Sequence, residues 1–243
     1  MHEARLTLYE LAGADLELRF SPHCWKTRMA LAHKGLVARC LPWHFTEKSR
    51  IAFTGLETVP VLEDRNTAIG DSWQIAQHLE QSYPDRPSLF GPAAALPLTA
   101  FVNQWVDATL LPAMARILLL DIHRLLIPED QTYFRASREA RFGATLEDIV
   151  APVADNLHHL RQSLAPLRRQ LRSQPYLAGA TPAYADYCVF GLFMWARCTS
   201  SREVLTADDP IDAWRNRLLD AFGGMARSAT RPFLPCVGGD DGR

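Results

Sequence analysis

At 243 residues and 48% apolar composition, the chain is long enough for one large domain or two ordinary ones with sizeable cores. Its 26 basic and 27 acidic residues leave a formal charge of −1, which excludes functions resting on a dominant basic patch; neither nucleic acid nor an anionic membrane is expected as a partner. No apolar stretch is long enough to span a bilayer, and MHEARLTLYE lacks the apolar core of a signal peptide. The five cysteines, at 24, 40, 188, 198 and 236, form neither CxxC pairs nor a disulfide framework, so free thiols in a cytoplasmic setting are expected.

In chain order, LTLY (Leu6 to Tyr9) has the length and composition of a strand. After it, Pro22 to Lys34 is predicted as a helix, with Trp25, Met29 and Ala32 forming one buried stripe. Ser21 suits its N-cap and Pro22 its first turn, where a missing N–H costs nothing, and Gly35 suits a left-handed C-terminal residue. VARCL (Val37 to Leu41) follows as a second strand, making a βαβ unit. VPVL (Val59 to Leu62) and TAI (Thr67 to Ile69) flank the polar turn EDRN as a hairpin, and Ser72 can cap a helix burying Ile75 and Leu79. The proline-rich stretch YPDRPSLFGP ends this pattern.

Beyond it, to about Phe222, the chain offers long amphipathic helices and no strands. Pro112 and Pro166 predict breaks within two of them. The stripe of Phe190, Phe193, Met194 and Trp195 reads as core. The expected division is 1–84 for a βαβ–ββα domain, 85–93 for a linker, 94–236 for a helical domain and 237–243 for a disordered Gly-rich tail.

Three features point to chemistry. Ser21 stands at a helix N-terminus, where its hydroxyl caps the helix and can also serve a ligand. Pro60 cannot donate to a ladder and so suits a strand start, where Val59-Pro60 would present its backbone to an extended ligand. Asp71 and Ser72 lie at a second helix N-terminus, whose free N–H groups and dipole attract a carboxylate.

In this order and spacing, the features resemble the glutathione S-transferase family: an α/β, thioredoxin-like N-terminal domain followed by an all-α domain. FSPHCWKTRMALAHKG, ETVPVL, GDSWQIAQHLEQSYPDRPSLF, SREARFGATLEDI and AYADYCVFGLFMWAR look more narrowly like the bacterial β-etherase branch, which cleaves lignin β-aryl ethers with glutathione. The resemblance implies glutathione as co-substrate, with Ser21 on its sulfur, Val59 and Pro60 on its cysteinyl backbone, and Asp71 and Ser72 on its γ-glutamyl end. It also implies a hydrophobic, aromatic electrophile, a homodimer, and a substrate pocket along the helix from Trp105 to Asp121. Lys48 or Arg50 could meet the glycine carboxylate.

The resemblance leaves competing readings. SPHC is an S-x-x-C relic of C-x-x-C, so Cys24 could serve a glutathione-dependent thiol oxidoreductase; alternatively, the fold could be a non-catalytic binding protein. Tyr9 occupies the strand position used by tyrosine-type transferases but suits a core residue. His23 is expected in solvent or at the cleft entrance, and His23, Cys24, Cys40 and His44 match no zinc spacing, so no metal is expected. In AYAD, Ala183 replaces the usual capping hydroxyl; Asp186 is expected to hold the preceding loop, with Thr181 as a substitute cap.

Overall fold

A computed structural model describes residues 6–232; the expected tail 237–243 and Cys236 lie outside them. The first segment contains β1 (Leu6–Leu11), α1 (Pro22–His33), β2 (Ala38–Trp43), β3 (Val61–Asp64), β4 (Thr67–Gly70) and α2 (Ser72–Ser82). The sheet order is β2-β1-β3-β4. β1 pairs parallel with β2 through α1, and the β3–β4 hairpin continues antiparallel, so Leu8 lies opposite both Cys40 and Leu62. Val37 stands outside the sheet at 90% exposure, and β2 starts one residue later than VARCL suggested.

The N-terminus of α1 is built as its sequence predicts. Ser21 caps it, its Oγ accepting from the Cys24 N–H at 3.4 Å, and Gly35 has the left-handed φ of 63° that ends it. The Trp25 indole N–H donates to the Arg19 carbonyl at 2.9 Å, clamping the loop that delivers Ser21. Arg28 reaches back to the buried Glu10 of β1 with two bonds, of 2.6 and 2.7 Å.

One expectation for α1 fails. The helix buries not one stripe but most of its circumference, including Lys26, Thr27 and Ala30. Its second face packs against the helical half, and Lys26 is accommodated there because its ammonium donates to Asn103 at 2.9 Å and to Asp107 at 3.0 Å.

The helical half runs α3 (Ala95–Trp105), a π-helical turn (Val106–Leu110), α4 (Leu111–Arg124), α5 (Pro128–Phe142), α6 (Leu146–Val150), α7 (Val153–Ser163), α8 (Ala165–Leu171), α9 (Tyr184–Thr199) and α10 (Pro210–Gly224). The expected break at Pro112 takes the form of that π turn, immediately before the residue that cannot donate a backbone bond. Pro166 stands at the start of α8, separating it from α7.

The central α9 is almost wholly buried, with Phe190, Phe193, Met194 and Trp195 in the core as read. Ala183 gives its start no side-chain cap, and Thr181 does not replace it. Asp186 instead accepts the backbone N–H groups of Leu177, Ala178 and Ala183, together with the Trp214 indole N–H at 2.8 Å. It is a structural acid, as expected. At Gly191 the backbones of α9 and α1 nearly touch: a Cβ there would lie 2.5 Å from the Pro22 carbonyl oxygen.

Candidate functional site

A cleft of about 430 Å³ opens where the N-termini of α1 and α2 and the start of β3 face α4 and α5. Ser21, Val59, Pro60, Asp71 and Ser72 all line it, so residues separated by fifty positions in sequence share one wall. A depression of about 1120 Å³ lies elsewhere, between the 87–92 segment, α3 and the starts of α8 and α9. It contains none of these five residues and is not the candidate site.

Ser21 is 5% exposed, and the only hydrogen bond to its hydroxyl among the described residues is the long one accepted from Cys24. Its O–H proton is therefore free to be donated into the cleft. The Val59–Pro60 peptide is cis and stands just before the β3 ladder. Val59 has no backbone partner among the described residues.

At α2 the sequence reading needs correction: Asp71, not Ser72, is the N-cap. Its Oδ1 accepts the Trp73 and Gln74 N–H groups at 2.9 and 3.1 Å. Asp71 holds a φ of 64°, a region a non-glycine residue occupies at some energetic cost. Ser72 becomes the first helical residue, and Tyr184 of α9 donates to its carbonyl at 2.6 Å, fixing α2 on the helical half. The second Asp71 oxygen and the Ser72 N–H have no partner among the described residues.

The other residues considered from sequence divide sharply. His23 lines the cleft, where burial, with help from Lys26, pushes its imidazole down to about 4 and keeps it neutral. Cys24 points into the core with no exposure, and burial raises its thiol to about 12. Tyr9 is core and absent from the cleft wall. Lys48 lines the cleft, its ammonium donating to the Glu57 carbonyl and lying over the Trp43 and Tyr133 rings. Arg50 does not; it is tied to Glu47 and the Pro42 carbonyl.

The far wall is only half where sequence placed it. Leu111, Pro112, Ala115 and Leu119 of α4 contribute, but Trp105 lines the other depression. Missed from sequence were Tyr133, Phe134, Arg138 and Arg141 of α5. The loop after β2 is locked to α5 by Asp130, which is fully buried and accepts the Phe45 and Thr46 N–H groups at 2.8 and 2.9 Å and the Thr46 hydroxyl at 2.7 Å.

Two family models match: the glutathione S-transferase N-terminal domain over residues 16–87 and the glutathione S-transferase C-terminal domain over residues 97–222. The chain belongs to the glutathione S-transferase family. Glutathione is accordingly its co-substrate. The transferase is similar to solved structures of glutathione transferase GSTFuA3 from Phanerochaete chrysosporium (25% identity, TM-score 0.80, covering 88% of this chain and 96% of that one). It is equally similar to CsGST63524 of Ceriporiopsis subvermispora, solved in complex with glutathione (25% identity, TM-score 0.80, covering 90% and 96%).

The β-etherase LigF from Sphingobium sp. strain SYK-6 shares this transferase's fold at 20% identity and TM-score 0.64, covering 88% and 95% of the two chains. That likeness speaks to the fold alone. Among the described residues of the transferase, no helix is long and apolar enough to cross a membrane.

Proposed function

We propose that the cleft binds glutathione with its sulfur at Ser21 and transfers the thiolate to an electrophilic carbon of an aromatic substrate held against α4 and α5. The observation that carries this reading is a buried hydroxyl with an uncommitted proton at the N-terminus of α1, in the same cleft as the unpaired acceptor and donor of Asp71 and Ser72. A free thiol titrates at about 8.5, and a hydroxyl donor beside a helix N-terminus favours its thiolate. Asp71 takes the γ-glutamyl ammonium, the Ser72 N–H takes the γ-glutamyl carboxylate, the Val59 backbone pairs with the cysteinyl unit, and Lys48 meets the glycine carboxylate.

The finer form of the proposal is cleavage of β-aryl ethers. The thiolate forms a C–S bond at the carbon bearing the ether oxygen, and the C–O bond breaks with its electron pair leaving on the phenolate. Glutathione consumption with a guaiacyl β-aryl ether, beside 1-chloro-2,4-dinitrobenzene, tests both levels. Consumption with neither refutes the transferase and leaves the binding-protein reading. Consumption with the halide alone removes only the etherase refinement. The oxidoreductase reading is opposed by the burial of Cys24.

The same proposal carries a cytoplasmic homodimer divided at the 85–93 linker, the first domain of one protomer packing on its partner's helical domain. Leu98 and Phe101, 69% and 72% exposed on α3, support a covered face there. Size-exclusion chromatography with light scattering tests it, and a monomer at micromolar concentration refutes it.

A further inference from the structure

The SREARF stretch, Ser137 to Phe142, is the sequence feature that the glutathione-binding residues leave unexplained. It forms the last turns of α5, and Arg138 and Arg141 from it line the cleft opposite Ser21. Their neighbour Arg135 shows what an ordinary arginine on this helix does: it is clasped by Glu139 at 2.9 Å and by Glu147 at 2.8 Å.

Arg138 has no such partner. Its guanidinium donates to the Ser137 hydroxyl at 2.9 Å and lies 4.6 Å from the Phe134 ring centroid and 5.5 Å from that of Phe45. Among the described residues the ion pairs of α5 arginines are those of Arg135, and none involves Arg138 or Arg141; Arg138 is partly buried, which pulls its pKa down, while Arg141 stands exposed at the rim of the cleft over the Phe142 ring. A guanidinium held among aromatic rings without a counter-charge is costly unless an anion arrives to meet it.

Glutathione does not supply that anion if its charges are met as proposed. The peptide brings two carboxylates and one ammonium, and these are matched by Ser72, Lys48 and Asp71. Two guanidiniums remain, beside Tyr133, Phe134 and Phe142. We infer that Arg138 and Arg141 form an anion subsite in the electrophile half of the cleft, and that the favoured electrophile is an aromatic compound bearing a carboxylate. The Arg138 fork suits a planar two-oxygen acceptor, while the rings cover the aromatic body. This inference rests on the transferase reading for its turnover assay, but not for its binding assay.

A matched pair of probes isolates the charge: 4-chloro-3,5-dinitrobenzoate and its methyl ester. In both, the glutathione thiolate forms the C–S bond at C4 and chloride leaves with the C–Cl electron pair; the thiol proton passes to buffer. The ratio of kcat/KM for the acid over the ester should fall at least tenfold in Arg138→Met, chiefly through the electrophile KM. Arg138→Lys should keep part of the preference, and Arg135→Met, on the same helix but already ion-paired, should leave the ratio unchanged. An unchanged ratio in Arg138→Met and Arg141→Met overturns the inference, as does a rise in glutathione KM alone, which assigns Arg138 to the glycine carboxylate.

Calorimetric titration of the benzoate into protein saturated with S-methylglutathione reads the subsite without turnover. If the wild type consumes glutathione with neither probe, the transferase reading fails. Benzoate binding that weakens tenfold in Arg138→Met, and by less in Arg138→Lys, would then still support the subsite, and absence of benzoate binding in the wild type would overturn it. Should Arg138→Met not fold, the Arg138→Lys and Arg141→Met comparisons decide by the same ratio and the same titration.

Discussion

Gly191→Ala places a methyl group where α9 meets the first turn of α1. The added Cβ would lie 2.5 Å from the Pro22 carbonyl oxygen and 3.3 Å from Lys26 Cγ. The first distance is about 1 Å short of an ordinary contact, and its far side is backbone, which cannot swing away. Nor can α1 slide freely, since Trp25 is bonded to Arg19, Arg28 to Glu10 and Lys26 to Asn103 and Asp107.

Overpacking of this kind costs about 1–3 kcal/mol. Ala in place of Gly within a helix returns about 1 kcal/mol of propensity. With backbone on the far side the upper end applies, leaving a net loss of about 2 kcal/mol, or roughly 4–8 °C in Tm for a chain of this size. Because Pro22 follows Ser21 directly, the displacement should also reach Ser21, and kcat/KM for glutathione should drop roughly tenfold if Ser21 holds the sulfur as proposed. Thermal unfolding and initial-rate kinetics check the two effects. A variant stabilised by about 1 kcal/mol would show that propensity alone operates, and the close approach of α1 and α9 would be refuted.

Other perturbations read other parts of the site. Asp130→Ala removes the buried acceptor of the partly buried Phe45 and Thr46 N–H groups, so chemical denaturation should show a loss of about 1–3 kcal/mol and kinetics a raised glutathione KM through the loosened loop bearing Lys48; an unaltered midpoint would contradict the role of Asp130. His23 has a folded pKa of about 4 against an ordinary 6.5, so it contributes stability above pH 6.5 that is lost as pH falls towards 4, up to about 3 kcal/mol at 1.36 kcal/mol per pH unit. The wild type should therefore lose more stability than His23→Asn between pH 7 and pH 4.5 in denaturant titrations, and parallel losses would refute the assignment. In the native state, iodoacetamide should label the exposed Cys40, faster as pH rises because burial of its sulfur and the Glu10 carboxylate push its thiol up to about 11, and should spare Cys24, Cys188 and Cys198, with oxidised glutathione adding no mass at Cys24. A mixed disulfide mapped to Cys24 would revive the oxidoreductase.

Much of the cleft wall that carries Ser21 is legible because its signals are local. Ser21-Pro22 marks a helix start, Val59-Pro60 a strand start, and Gly35 a helix end, each through the backbone properties of one or two residues. The choice between Asp71 and Ser72 as cap is not legible. Both are good caps, and Asp71 takes the role in a positive-φ conformation that local sequence does not announce, beside the Ser72 carbonyl to which Tyr184 donates.

The α4–α5 wall is harder for a different reason. Arg138 belongs to an amphipathic helix on which an arginine ordinarily faces solvent, and the packing of Phe45, from the loop after β2, and of α4 against this face places it in the cleft. Likewise, Lys26 would be assigned to an exposed face by periodicity. Its burial depends on Asp107, eighty-one residues away, and no local pattern carries that pairing.

If Ser21 and the N-terminus of α1 hold glutathione as its thiolate, titrating the ultraviolet absorbance of the bound thiolate against pH will show it. Bound glutathione should titrate at about 7 or lower, against about 8.5 for a free thiol, and return towards the free value in Ser21→Ala. A bound thiol that titrates like free glutathione in the wild type, or one whose pKa stays low without the Ser21 hydroxyl, would contradict that role of Ser21.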